Sequence, residues 1–275
     1  MKLGVTGFPP LSFRTISMWL GLPVLGGLLL LRRVPFAIRR EDWPELAKLS
    51  VTNMIVWHVV AILALQALSS GRAAILGYTM PIFSALWGVA MFGERLTPRH
   101  VAGVAAAAGG VALLLWHEFG TLSGKPLAAL GMLLAAAVWA LGTQQMRRTT
   151  IQAPTLAIVF WMTLASTLVM TAGTLLFERD RWIAPPPTTW AAIAYNALLI
   201  FGFAQAIWLI MARNLPPIAS SMSVMMIPVL GVVSGAWWLN EQLHWQDGAA
   251  IVLVLIAIAA VLLPARRVTQ PVEPA

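Results

Sequence analysis

The chain has 275 residues, 59% of them hydrophobic and only 10% charged, where an ordinary soluble domain carries about 25% charged residues. So large an apolar surplus excludes a soluble globular protein and fits a bilayer. The net charge of +8 does not indicate nucleic acid, because Lys and Arg sit in short clusters between apolar runs and build no basic face; the absence of cysteine excludes disulfides, thiolate metal sites and cysteine nucleophiles.

The start lacks the basic, apolar, small-residue order of a cleavable signal peptide. Segments of roughly 20 mostly apolar residues read as spanning helices, and nine qualify: about 11–31, 44–68, 72–92, 99–116, 127–146, 154–177, 188–212, 217–239 and 247–264. The runs are too long, and too far from strict alternation, for a β-barrel.

In chain order, the first span carries Arg14 near its outer end, where snorkelling to the surface is expected and contact with a substrate carboxylate is the alternative. The second holds Asn53, Trp57 and His58. The third carries Tyr78 and Met80 before Pro81, and Glu94 follows it. The fifth holds Trp139, then Thr143, Gln144 and Gln145. Trp161 lies in the sixth, and Asn196, Gln205 and Trp208 lie in the seventh. The eighth carries Met225, Met226 and Pro228, with Glu241 after it.

All the acidic residues lie at span ends, in loops or in the tail, so no carboxylate stands mid-membrane as a proton or sodium site. Trp57, Trp139, Trp161 and Trp208 are deep. Each either packs against helix or lipid, or walls a cavity with an apolar face and one N–H donor. Trp43, Trp116, Trp182, Trp190, Trp237, Trp238 and Trp245 fall near span ends, as interfacial anchors. His58 is either cavity-lining or an interhelical bond. Asn53 and Asn196 are read chiefly as interhelical bonds. The prolines Pro81 and Pro228 are hinges or static kinks.

Orientation follows from the loops. Arg32, Arg33, Arg39, Arg40, Lys48, Arg95, Arg99, Arg147, Arg148, Arg213, Arg266 and Arg267 share one face, against Lys2, Arg14, Arg72, Lys125, Arg179 and Arg181 on the other. This predicts a cytoplasmic C-terminus.

Sliding the chain against itself by 147 residues aligns Pro81 with Pro228, Gly88 with Gly235, Glu94 with Glu241, Leu96 with Leu243 and Trp43 with Trp190. His58 then meets Gln205 at the same depth. The spans 11–31, 44–68, 72–92 and 99–116 correspond to 154–177, 188–212, 217–239 and 247–264, while 127–146 has no counterpart. The expectation is two inverted five-helix repeats, at 1–121 and 122–265, with a cytoplasmic tail at 266–275. The first helix of the first repeat would then be absent, with a genuine nine-helix chain as the alternative. Glu94 and Glu241 are structural turn residues in this scheme. They would accept bonds from the N–H groups that begin the next helix, near Thr97-Pro98 or Gln246-Asp247.

The stretch FGERLTPRHVAGVAAAAGGVALLL (92–115), with Glu94, Leu96, Thr97, Gly103 and Gly110, resembles the repeat ending of the drug/metabolite transporter superfamily, EamA type. FPPLSFR, with Pro10 and Arg14, is similar to that family's second helix. The second repeat departs from the pattern, with Ala250 and Ala257 in place of the two glycines. The resemblance implies ten helices, two inverted repeats and a central cavity. Its tryptophan richness looks most like the bacterial aromatic amino acid exporters.

The reading is therefore an all-α integral membrane protein of the inner membrane. It exports a small, partly apolar metabolite, an aromatic or neutral amino acid, by alternating access. The substrate residues are Trp139, His58, Tyr78, Gln205, Trp57, Trp208, Asn53 and Thr143. A multidrug or aromatic-cation efflux transporter is the alternative, and a membrane-embedded enzyme or non-transporting subunit is the reading of another class. No H-E-x-x-H, G-x-S-x-G or phosphate-binding loop occurs. No cofactor, metal or nucleic acid is expected; the partners are a small molecule and lipid, and the chain is expected to be a monomer.

Overall fold

The computed structural model describes residues 2–5, 8–77, 79–93, 95, 98–120, 125–214, 230, 234–238, 240 and 244–262, and every regular element among them is helical. This is what hydrocarbon demands of a spanning chain, since a helix satisfies its backbone groups internally. We label the helices α1 (Pro10–Leu31), α2 (Arg40–Ala67), α3 (Ser70–Phe92), α4 (Pro98–Gly120), α5 (Pro126–Arg147), α6 (Thr155–Phe177), α7 (Pro187–Asn214) and α8 (Trp245–Leu262). Among the described residues, α1, α2, α3, α5, α6 and α7 are long and apolar enough to cross a membrane. Proline opens α1, α4, α5 and α7, at a position where its missing N–H would have had no helical partner. The expected span 217–239 lies mostly outside the described residues.

The outward surface is apolar. Leu134, Leu168, Leu198, Leu199 and Phe203 are exposed, each well inside a helix. On a soluble protein such a surface would be a liability; here it faces lipid. Trp43, Trp182, Trp190, Trp237, Trp238 and Trp245 are exposed near helix ends, at the level of an interfacial belt.

The two halves repeat in backbone detail. Arg40–Ala67 and Pro187–Asn214 are both 28 residues long and lie 147 residues apart, end for end. Each is interrupted by π-helical turns, at Val51–Ile55 and at Asn196–Ala204; shifted by 147, the first falls inside the second. Of the three left-handed residues among the described residues, two match: Gly93 (φ 68°) and Asn240 (φ 50°) occupy one register position, and each immediately precedes a repeat glutamate. Glycine and asparagine are the residues that most readily take this conformation at a helix end.

The repeats are inverted. In α1 and α6, which are repeat counterparts, Ser12 meets Glu178, Thr15 meets Thr174 (2.9 Å) and Trp19 meets Thr171 (2.9 Å), so the helices run antiparallel. The other counterpart pair in view, α4 and α8, also packs together, with Gly110 against Leu253 and the Ala250 carbonyl. Helix α1 further lies on the π-helical turns of α7, where Gly21 faces Ala197 and Phe201. Helix α5 packs on α2 and α3.

Glu178, just past α6, is 3% exposed. It accepts the Leu11 N–H (3.0 Å), the Ser12 N–H (2.7 Å) and the Ser12 hydroxyl (2.8 Å) at the start of α1. Pro9 gives that helix no side-chain cap, so the cap is supplied from another helix. The expectation that Arg14 snorkels outward is overturned. Arg14 is 1% exposed and lies 5.5 Å from the Phe201 ring centroid, because the packing of α1 on α7 turns it into the bundle.

Two glycine substitutions test this packing. A Cβ on Gly142 would stand 2.6 Å from Asn53 Nδ2 and 2.8 Å from the Thr52 backbone carbon, whereas one on Gly27 would meet nothing within 4 Å. Gly142→Ala should destabilise the detergent-solubilised protein by about 1–3 kcal/mol. Gly27→Ala should leave its thermal midpoint unchanged or raised.

Candidate functional site

Three of the deep tryptophans come together. Trp57 on α2 and Trp139 on α5 lie 4.5 Å apart between ring centroids, tilted at 41°. Trp139 and Trp208 on α7 lie 5.9 Å apart at 57°. Trp57 also borders α3, since a Cβ on Gly77 would sit 3.1 Å from its ring. The cluster thus joins α2 and α7, counterparts in the two repeats, through α5, which had no counterpart in the sequence. Each ring is only partly buried.

The indole Nε1 atoms of Trp139 and Trp208 are buried without a hydrogen-bond partner. A buried, unsatisfied donor costs about 1–3 kcal/mol, and two neighbouring ones are a feature to be explained by what occupies the site. The fourth deep tryptophan differs. Trp161 donates to the Phe36 carbonyl at 2.7 Å and packs edge-on against Trp43 and Phe160, fixing the loop between α1 and α2.

The remaining sequence candidates are distributed around this cluster. Gln205, one turn before Trp208, points its amide nitrogen at Met54 Sδ (3.4 Å), a weak acceptor. Thr143, one turn after Trp139, donates to the Trp139 carbonyl at 3.0 Å. Asn53 lies in the π-helical turns of α2, against Gly142, and donates to the Leu49 carbonyl while its Oδ1 is unpartnered.

His58 is not in the tryptophan cluster. It is 2% exposed, contacts the edge of Phe201 at 5.2 Å, and neither ring nitrogen has a partner. It follows Trp57 directly, so the two rings leave α2 on different sides. Asn196 donates to the Ala192 carbonyl within its own helix, at 2.8 Å. Pro81 opens the second helical piece of α3, Met80–Phe92, after a turn at Thr79. Tyr78, Glu94, Pro228 and Glu241 lie outside the described residues.

Sequence reasoning gave no role to Gln144 or Trp87. Gln144 donates to the Ser84 carbonyl of α3 at 2.8 Å, and Trp87 of α3 donates to the Ala137 carbonyl of α5 at 2.8 Å. Both tie α3 to α5 beside the aromatic cluster. A donor that pairs with a backbone carbonyl of another helix leaves no pattern in its own sequence.

A membrane bundle of two inverted helical repeats, with aromatic and neutral polar groups at their junction, is the architecture of a secondary transporter. The chain belongs to the EamA-like transporter family, which it matches over residues 1–116 and 126–263. It is 27% identical to the uncharacterized inner membrane transporter YedA of Escherichia coli (strain K12), across 99% of this chain and 89% of that protein. It is also 27% identical to the aromatic amino acid exporter YddG of Ancylobacter novellus, across 73% of this chain and 69% of that protein. A crystal structure of a protein with 22% identity shares the fold, with a TM-score of 0.71 over 96% of this chain and 90% of the other. The protein is a multi-pass membrane transporter acting on small molecules.

The unequal satisfaction of the indoles gives a paired test. Trp139→Phe deletes an N–H that has no partner, and Trp161→Phe deletes one that is bonded, while both lose similar volume. Trp161→Phe should therefore be the less stable by about 1 kcal/mol or more in thermal or denaturant unfolding. Equal losses would show that the Trp139 N–H is bonded after all.

Proposed function

We propose that this transporter exports aromatic or other neutral amino acids from the cytoplasm by alternating access. The observation that carries the reading is the tryptophan cluster at the repeat junction, with two indole donors left without partners. Clustered indoles offer an apolar face to a planar side chain, and their N–H groups offer bonds to a carboxylate or carbonyl oxygen. The name of the relative YddG, an aromatic amino acid exporter, supports the same substrate class.

In this proposal Trp57, Trp139 and Trp208 form the wall, with Gln205 beside them, and Tyr78 is a further substrate residue. Asn53 and Thr143 lie towards one end, and His58 lies behind the wall. Pro81 and Pro228 are the hinges, and Glu94 and Glu241 are turn residues. The halves are 1–121 and 122–265, and 266–275 is a cytoplasmic tail, in a monomer of the bacterial inner membrane. Export of aromatic cations is the weaker reading, because no span carries a carboxylate at its centre. The same lack argues for facilitated exchange without a proton or sodium relay.

Purified protein in liposomes preloaded with tryptophan, phenylalanine or leucine should release amino acid faster than protein-free vesicles. The rate should be the same with and without a pH gradient. Trp139→Ala should slow release by about tenfold or more, the loss expected for one well-packed aromatic contact. Release equal to that of empty vesicles would defeat the export reading, and a strong gradient dependence would defeat uncoupled transport.

A further inference from the structure

The helices around the tryptophan cluster all meet one connection, residues 148–154, which joins α5 to α6. Glu45, near the start of α2, accepts from the Thr149 hydroxyl at 2.5 Å, the Thr150 hydroxyl at 3.0 Å and the Thr150 N–H at 3.3 Å. Arg213, near the end of α7, donates to the Ile151 carbonyl at 2.9 Å, the Ala153 carbonyl at 2.8 Å and the Thr155 hydroxyl at 3.1 Å. Arg148 lies over Phe92, the last residue of α3, at 4.1 Å from its ring centroid. It also donates to Gln144, which in turn holds the Ser84 carbonyl of α3.

A single short strap is therefore held by α2, α3 and α7 at once, and it continues directly from α5, which carries Trp139. The bonds of Glu45, Arg213 and Arg148 each join a charged group to a neutral partner. Such bonds are directional, and each can be exchanged for water once the strap lifts.

The repeat makes this arrangement one-sided. Inversion places the counterpart of Glu45 at Ala192 and the counterpart of Arg213 at Gln66, both at the opposite face and both uncharged. At that opposite face the ion pair of Arg72 with Asp247 (3.4 Å) links α3 to α8. Glu178, capping α1, ties that same face as well, so the two faces are closed by different charged contacts, and weakening the strap shifts the balance between them.

We infer that residues 148–154, gripped by Glu45 and Arg213, form a latch that holds the transporter closed at the face bearing residues 32–39. This rests on the transport reading and adds what sets the resting state. Releasing the latch is the step that admits substrate from that face, and in α2 the π-helical turns at Val51–Ile55 lie between Glu45 and Trp57, where that helix can bend.

The chain has no cysteine, so one introduced thiol is the only one present. Thr143 lies one turn from Trp139 on the latch side and is 5% exposed, and Thr143→Cys places a reporter between cluster and strap. A membrane-impermeant maleimide is added to each side of membrane vesicles of known sidedness. Glu45→Ala or Arg213→Gln in that background should raise the labelling rate from the latched face about tenfold and lower it from the other face, as a shifted two-state balance requires. Arg213→Lys should fall between Arg213→Gln and the parent. Unchanged rates would overturn the latch. An equal rise from both faces would also overturn it, since that marks a loosened bundle and not a shifted balance. Labelling needs no flux, and release is read on protein that keeps Thr143, so normal amino acid release with unmoved labelling sinks the latch alone. The expected labelling without release sinks the export reading alone.

Discussion

A helix that starts inside a membrane protein exposes N–H groups that water does not reach, and α1 starts at two prolines with no side chain of its own to cover them. Glu178 covers them from the far end of α6. That contact fixes the register of α1 against its own repeat counterpart, and the Thr15–Thr174 and Trp19–Thr171 bonds carry the register along the pair. With α1 so placed, Gly21 lets it settle on the π-helical turns of α7, and Arg14 is turned inward beside Phe201. The position of α7 in turn sets where Trp208 meets Trp139. The aromatic junction at the centre thus depends on a carboxylate at the edge.

The spans were legible because hydrocarbon imposes both length and composition. The expected 44–68 and 188–212 became Arg40–Ala67 and Pro187–Asn214. The repeat was legible from a few aligned residues, yet its best structural marker was not. Gly93 and Asn240 differ in identity and share a left-handed backbone, so residue matching passes over them. The π-helical turns were equally hidden, since one extra residue per turn leaves the apolar composition unchanged. Arg14 was misjudged because its depth along α1 was readable while the direction in which α1 turns it was not. Of the deep tryptophans, Trp57, Trp139 and Trp208 could be picked out by depth alone. Trp161 could not be separated from them until the path of the loop carrying Phe36 was known.

The polar groups divide into two kinds. Those at the helix ends, such as Glu178, Glu45 and Arg213, are satisfied several times over. Those at the centre are satisfied once, weakly, or not at all, as with Gln205, Trp139 and Trp208. Rigid ends around an under-satisfied middle suit a protein whose helices move as units about a site that must accept and release a guest.

A π-helical turn can arise when one residue is inserted into an α-helix and the surrounding packing absorbs it. Here the interruption of α2 falls, 147 residues on, within that of α7, although Val51–Ile55 and its counterpart share no identities. One insertion in a single ancestral half, copied when that half was duplicated, accounts for both. On that view the bend is older than the two-halved protein. Side chains at this depth have since been replaced nearly throughout, while the shape of the backbone has been inherited in duplicate.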